Sequence, residues 1–153
     1  MFRELMEFDL DGSIRKNIVL KKQIILIADD DSMSRDFIKT VFERYFSKYV
    51  IETYNTGEAV EQRFGDKGFD GVKFVVLDEV MDPGLRGLEL IKKYSSLARS
   101  SGCKMILYTG EGKELGERAI KEGAFAYISK PISLNKLEGI IKTALVEEKT
   151  SQQ

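Results

Sequence analysis

After residue 22 the chain alternates short apolar runs with longer segments in which apolar residues recur every three or four positions. That alternation points to repeated strand–helix units around a parallel sheet, because parallel neighbours need a long crossover and a helix usually supplies it. The apolar runs fall at residues 24–28, 49–54, 72–78, 104–108 and 125–128. Between them, Phe37, Ile38, Val41, Phe42 and Tyr45 keep helical spacing behind Ser32 as a cap, and Ala59, Val60 and Phe64 do so between Thr56 and Gly65. Leu88, Leu90, Ile91, Tyr94 and Leu97 form a third stripe, and residues 114–122 a polar helix ended by Gly123. Ile132, Leu134, Leu137, Ile140, Ile141 and Leu145 form the last stripe. The expectation is an α/β domain with a doubly wound five-stranded parallel sheet and helices on both faces, since such crossovers are right-handed.

Length and composition narrow the function classes. A chain of 153 residues suits one domain with a sizeable core. Its 24 basic and 25 acidic residues nearly cancel, so no basic footprint argues for nucleic acid. No stretch approaches the roughly 18 apolar residues of a membrane span, and the acids among residues 1–7 break up any apolar signal core. A single cysteine, Cys103, excludes an intramolecular disulfide and fits a reducing cytoplasm. The count of 0 histidines removes imidazole acid–base chemistry, imidazole metal ligands and any role as a phosphohistidine carrier.

Ligands of an open parallel sheet bind outside the carboxyl ends of its strands, and here those ends carry chemistry. The first run ends in Asp29, Asp30 and Asp31, the third in Asp78, the fourth in Thr109 and the fifth in Lys130-Pro131. Carboxylates, a hydroxyl and an ammonium therefore meet on one rim, a place for a phosphoryl group and a divalent metal. Each feature has a bland alternative. The three aspartates could cap a helix and meet its dipole, Asp78 could open a turn before Pro83-Gly84, and Lys130 could be a solvated lysine before a helix-starting proline. Thr109-Gly110 could be a turn and Tyr127 a core residue. These alternatives would have to hold together at four strand ends.

The segments IILIADDDS, FVVLDEVMDPG, MILYTGEG and AFAYISKPIS, in that order, resemble the receiver domain of two-component response regulators, over about residues 23–147. The resemblance implies a flavodoxin-like (βα)5 fold in a stand-alone, chemotaxis-type chain, with Asp78 as phosphoacceptor for a sensor histidine kinase or phosphotransfer protein. It implies Mg²⁺ held directly by Asp30, mainly through water by Asp29, and by Asp78 and the Val80 backbone carbonyl. It gives Thr109 and Lys130 the phosphoryl oxygens, makes Thr109 and Tyr127 the switch, and makes the Lys130-Pro131 bond cis. Output then leaves through about residues 111–146, toward a downstream protein or a receiver homodimer, from a cytoplasmic protein without nucleic-acid or membrane partners. On this reading the chain is a regulatory phosphoacceptor, not an enzyme with a separate substrate.

The chemistry explains the residue types. Phosphoryl transfer is mostly positioning and charge neutralisation, and a carboxylate attacking a phosphoryl anion needs a cation such as Mg²⁺, which takes oxygen ligands. Two departures stand out: Asp82 lengthens the loop between Met81 and Pro83, and Gly110 follows Thr109 where alanine is frequent. With Glu79 and Glu111, Asp82 makes the rim acidic, an expectation that disfavours small anionic phosphodonors. Two other readings remain: a degenerate receiver acting as a docking module, or a haloacid-dehalogenase-type phosphatase started by Asp29-Asp30-Asp31. The second lacks the Thr or Val expected at position 33, which is Met33, and an acidic pair after Lys130. Residues 1–22 lie outside the repeat; Met6, Phe8, Leu10, Ile14 and Ile18 flank Asp11-Gly12, consistent with a partly ordered tail or a hairpin. Residues 148–153 read as a polar, fraying tail.

Overall fold

The computed structural model describes the backbone of residues 2–20 and 22–151, with the side chains of all of these except 2–5, 7, 14–20 and 151. Two antiparallel strands, β1 (Phe2–Phe8) and β2 (Ile14–Leu20), form a hairpin in which Phe8 pairs with Ile14 and Phe2 with Leu20. Its turn closes through Gly12 N–H to Asp9 O at 2.9 Å and Asp9 N–H to Ser13 O at 2.8 Å. Gly12 takes φ 84°, the left-handed position that follows a type I turn in a three-residue hairpin loop. The Asp11-Gly12 signal is thus realised as a hairpin, while the side chains of Ile14 and Ile18 lie outside the described residues.

The main sheet contains β3 (Ile24–Ala28), β4 (Val50–Tyr54), β5 (Val72–Asp78), β6 (Lys104–Thr109) and β7 (Ala126–Ser129). Every neighbouring pair is parallel, and the order is β4-β3-β5-β6-β7. This is the doubly wound arrangement anticipated from the alternating runs, with its switch point between β3 and β5. Helices α1 (Ser32–Tyr45), α2 (Gly57–Lys67), α3 (Gly87–Ser100), α4 (Lys113–Lys121) and α5 (Leu134–Ser151) cover both faces. On one face Ile25, Ile27, Phe74, Val76 and Ile106 meet Ile38, Val41 and Phe42 of α1 and Leu137 and Ile141 of α5. On the other, Leu26, Val75, Leu77, Met105 and Leu107 meet Val60 and Phe64 of α2, Leu90 and Ile91 of α3 and Ala119 of α4. Because strand side chains alternate, the residues at the carboxyl ends sort to one face or the other by parity.

The structure shifts several sequence-drawn boundaries. The cap of α1 is Asp31, not Ser32: its carboxylate accepts from Met33 N–H and Ser34 N–H, a geometry the shorter position 32 cannot reach from inside the helix. Helix α2 does not stop at Gly65 but runs to Lys67 and ends at Gly68, whose φ is 63°. Helix α5 starts after Ile132 and continues through Ser151, beyond the expected onset of a polar tail, and Glu148 on it pairs with the largely buried Lys73 of β5.

Phe74 holds the middle of the α1–α5 core, fully buried, with ring centroids 5.3 Å from Phe42 and 5.6 Å from Phe46. Phe74→Ala should cost roughly 3–5 kcal/mol and lower the melting temperature by roughly 10 °C in calorimetry. A loss under about 1 kcal/mol would show that this face can collapse around the cavity.

Candidate functional site

Parity and register build the site. Ile25, Ile27 and Asp29 share a face on β3, as do Phe74, Val76 and Asp78 on β5, and Ile106 and Tyr108 on β6. Ala28 pairs with Leu77 and Asp78 with Tyr108, so Asp29, Asp78 and Tyr108 line up across the switch point on the α1–α5 side. Lys130 follows Ser129 of β7, and its Nζ reaches Asp78 Oδ1 at 3.0 Å. Thr109 and Tyr127 have the opposite parity, continuing the row of Met105 and Leu107.

Asp29 and Asp78 are buried, at 0 % and 2 % exposure, whereas Asp30 is exposed. Carboxylate oxygens of these three residues all lie within 4.8 Å of one another. Asp29 accepts from Asp31 N–H on Oδ1 at 2.8 Å and from the Tyr108 hydroxyl on Oδ2, while Arg35 binds its backbone carbonyl at 2.6 Å. Burial raises the Asp78 pKa to about 6; Lys130 opposes that rise and Asp29 adds to it. Asp30 is also raised, first by desolvation and then by Asp29. Tyr108 is pushed far above the usual phenol range by burial and by Asp29, so it stands as a protonated donor. Three hard oxygen donors, two of them held above their usual pKa by crowding and desolvation, fit a site for a hard divalent cation.

The surrounding loops are pinned. Val80, half-buried, gives its N–H to Asp78 Oδ1 at 3.4 Å. The longer loop is closed by Gly87 N–H to Glu79 O at 3.1 Å and Leu88 N–H to Glu79 Oε2 at 3.1 Å, with a cis Asp82-Pro83 bond inside it. Glycine is required at position 87, where a Cβ would lie 2.6 Å from the Asp78 carbonyl oxygen. Thr109 Oγ1 accepts from Glu111 N–H at 2.9 Å, and the Lys130-Pro131 bond is cis. Tyr127 is half-buried against α4, its ring so close to Gly116 that a Cβ there would meet Cδ2 at 2.2 Å. The sequence-chosen residues Asp29, Asp30, Asp78 and Lys130 converge, with Val80 alongside; Thr109 and Tyr127 occupy the next row. Missed from sequence were Tyr108 and Arg86, which pairs with Glu111 at 3.0 Å across the two loops. Parity puts Tyr108 on the face of the acids, and the register with Asp78 is what brings its hydroxyl to Asp29.

A family model for the response regulator receiver domain matches residues 25–142. The chain belongs to this family. It is 33% identical over 122 residues to chemotaxis protein CheY1 of Helicobacter pylori, spanning 79% of this chain and 95% of that one. It is 28% identical over 123 residues to the transcriptional regulatory protein FixJ of Bradyrhizobium diazoefficiens, but spans only 56% of that protein. Among solved structures, a CheY-like receiver domain from Methanospirillum hungatei matches with TM-score 0.68 and 30% identity, covering 86% of this chain and 99% of that one. A beryllofluoride-activated NtrC4 receiver domain dimer matches with TM-score 0.66 and 26% identity, covering 81% and 97%. The matched region takes in nearly all of the five-stranded sheet, the strand-end acids and the helices up to residue 142 of the last one, and family membership does not favour the phosphatase reading. Among the described residues no helix is long and apolar enough to cross a membrane.

The raised Asp78 pKa has a measurable consequence. A carboxyl that binds its proton more tightly when folded favours the fold while protonated, below about 4, and loses that contribution as pH rises through about 6. At neutral pH the ionised Asp78 therefore costs roughly 3 kcal/mol, at about 1.4 kcal/mol per tenfold change in proton affinity. In metal-free buffer at pH 7.5, Asp78→Asn should melt roughly 5–10 °C above wild type, with the gap closing near pH 4. An equal or lower melting temperature at neutral pH would contradict this electrostatic strain.

Proposed function

We propose that this receiver accepts a phosphoryl group on Asp78 from the phosphohistidine of a sensor histidine kinase or phosphotransfer protein, with Mg²⁺, and signals by altered protein binding. The observation that supports this most is the trio of carboxylates within 4.8 Å, one of them paired with Lys130 at 3.0 Å. An Asp78 oxygen forms the new bond to phosphorus as the phosphorus–nitrogen bond of the donor breaks, and the imidazole leaves with the electron pair. Asp30 would bind Mg²⁺ directly, Asp29 mainly through water, and Asp78 and the Val80 carbonyl would complete the protein ligands. Bound Mg²⁺ supplies the positive charge that offsets repulsion between carboxylate and phosphoryl oxygens.

The protein's own groups do the positioning. Lys130 fixes the nucleophile through its ion pair and offers positive charge to the equatorial oxygens. Thr109 uses an oxygen lone pair on Glu111 N–H, which leaves its hydroxyl proton for a phosphoryl oxygen. Movement of Thr109 toward that oxygen opens space on the α2–α4 face, where Tyr127 rests on α4 beside it. The output surface is then about residues 111–146, serving a downstream protein or a second receiver. A relative known as a dimer supports the latter, and the exposed β7 edge beside α5 supplies a shallow groove lined by Tyr127, Ile128 and Ile140. We assign residues 23–147 to the receiver, 1–22 to an N-terminal extension and 148–153 to a polar tail, and place the protein in the cytoplasm as a regulatory phosphoacceptor.

Intact-mass measurement with a histidine kinase or small phosphodonor should give one added phosphate on wild type that requires Mg²⁺. Asp78→Asn should give none, and Lys130→Ala should label at least tenfold more slowly. Unlabelled wild type with every donor, alongside a normal melting curve, would favour the phosphorylation-independent docking module.

A further inference from the structure

Tyr108 is the last fully buried aromatic residue of β6, and its two ends touch two different functional groups. Its hydroxyl contacts Asp29 Oδ2 and lies 3.2 Å from Ala28 O, while Lys130 Nζ stands 5.0 Å from its ring centroid. Register fixes this placement: Tyr108 is the Cα partner of Asp78, separated from β3 by β5 alone and on the same face as Asp29. At 0 % exposure the ring cannot swing out to water.

We propose that Tyr108 is a positioning residue that fixes the Asp29 carboxylate for Mg²⁺ and seats Lys130, an inference that rests on the metal-dependent reading above. Asp29 receives one donor on each oxygen, Asp31 N–H on Oδ1 and the Tyr108 hydroxyl on Oδ2. Two donors on opposite oxygens stop rotation of the carboxylate and leave the remaining lone pairs aimed at the space shared with Asp30 and Asp78. An aliphatic residue at 108 would fill the core equally well but leave Oδ2 buried without that donor, a costly state for a charged group. Groups that orient a metal-binding carboxylate in this way typically account for about 10–100-fold in metal affinity. The ring adds a second constraint, because an ammonium over an aromatic face is held by the ring quadrupole.

Calorimetric Mg²⁺ titration of the full chain, without a phosphodonor, separates these roles. Tyr108→Phe keeps the ring and removes the hydroxyl; it should weaken Mg²⁺ binding about 10-fold or more, and saturating Mg²⁺ should restore the rate of phosphate incorporation. In an Asp29→Ala background the same substitution should change Mg²⁺ affinity less than about twofold, because the group it acts through is gone. Tyr108→Leu should also lower the rate at saturating Mg²⁺, through the loss of the ring under Lys130. Melting curves in metal-free buffer check that each variant is folded. If Tyr108→Phe binds Mg²⁺ within twofold of wild type while Asp30→Asn binds weakly, the positioning role is overturned and the metal site stands. If Tyr108→Leu matches Tyr108→Phe at saturating Mg²⁺, the seating of Lys130 is overturned. A wild type that binds no Mg²⁺ overturns both this inference and the metal-dependent reading beneath it.

Discussion

Everything at the rim follows from like charges forced together out of water. The switch point between β3 and β5 brings Asp29 beside Asp78, and the sheet's burial removes the solvent that would screen them. Burial raises the Asp78 carboxyl to about 6, with Lys130 opposing the rise and the Asp29 charge adding to it. The fold tolerates this strain because Lys130 and a set of fixed donors sit at the same place, and because the two apolar layers elsewhere hold the strands in register. A site poised in this way gains from any group that brings positive charge.

The division between the two sheet faces is the second organising fact. Residues that touch the acids, namely Asp29, Asp78 and Tyr108, continue the apolar rows packed against α1 and α5. Thr109 and Tyr127 continue the rows packed against α3 and α4. Strand alternation thus lets one strand, β6, send its hydroxyl-bearing Tyr108 to the acids and its Thr109 to the opposite layer. Two residues adjacent in sequence thus lie on different faces.

This geometry explains what could be read from the chain and what could not. Asp78, Asp29 and Lys130 were legible because each terminates an apolar run and strand ends of a parallel sheet share one rim. Tyr108 was hidden by the same rule, since it reads as the last apolar residue of its run and its hydroxyl matters only once the register with Asp78 is known. The cap Asp31 was mistaken for Ser32 because three consecutive aspartates give no local sign of which one turns back on the helix. The end of α2 was drawn at Gly65, yet a glycine inside a helix costs only about 1 kcal/mol, and the left-handed Gly68 is the one that ends it. The hairpin had its turn signal, but pairing over seven residues per strand is a tertiary fact that alternation alone does not fix.

The acidity of the rim also changes meaning once partners are known. Counted from sequence, Glu79, Asp82 and Glu111 add three negative charges beside Asp78, which argues for repulsion of small anionic donors. In the fold, Glu79 turns inward as the cap on Leu88 and is itself raised in pKa by burial, and Glu111 is bound by Arg86. Asp82 and Glu111 are both exposed, and Asp82 lies within the lengthened loop. The extra residue is thereby confined between Glu79 and Gly87, whose hydrogen bond closes the loop at its base. The segment carrying Asp78 and Val80 is left with Gly87 pressed against the Asp78 carbonyl. The added residue shares with Val80 the loop that Glu79 and Gly87 close, while Asp78 stays at the end of its strand outside that loop.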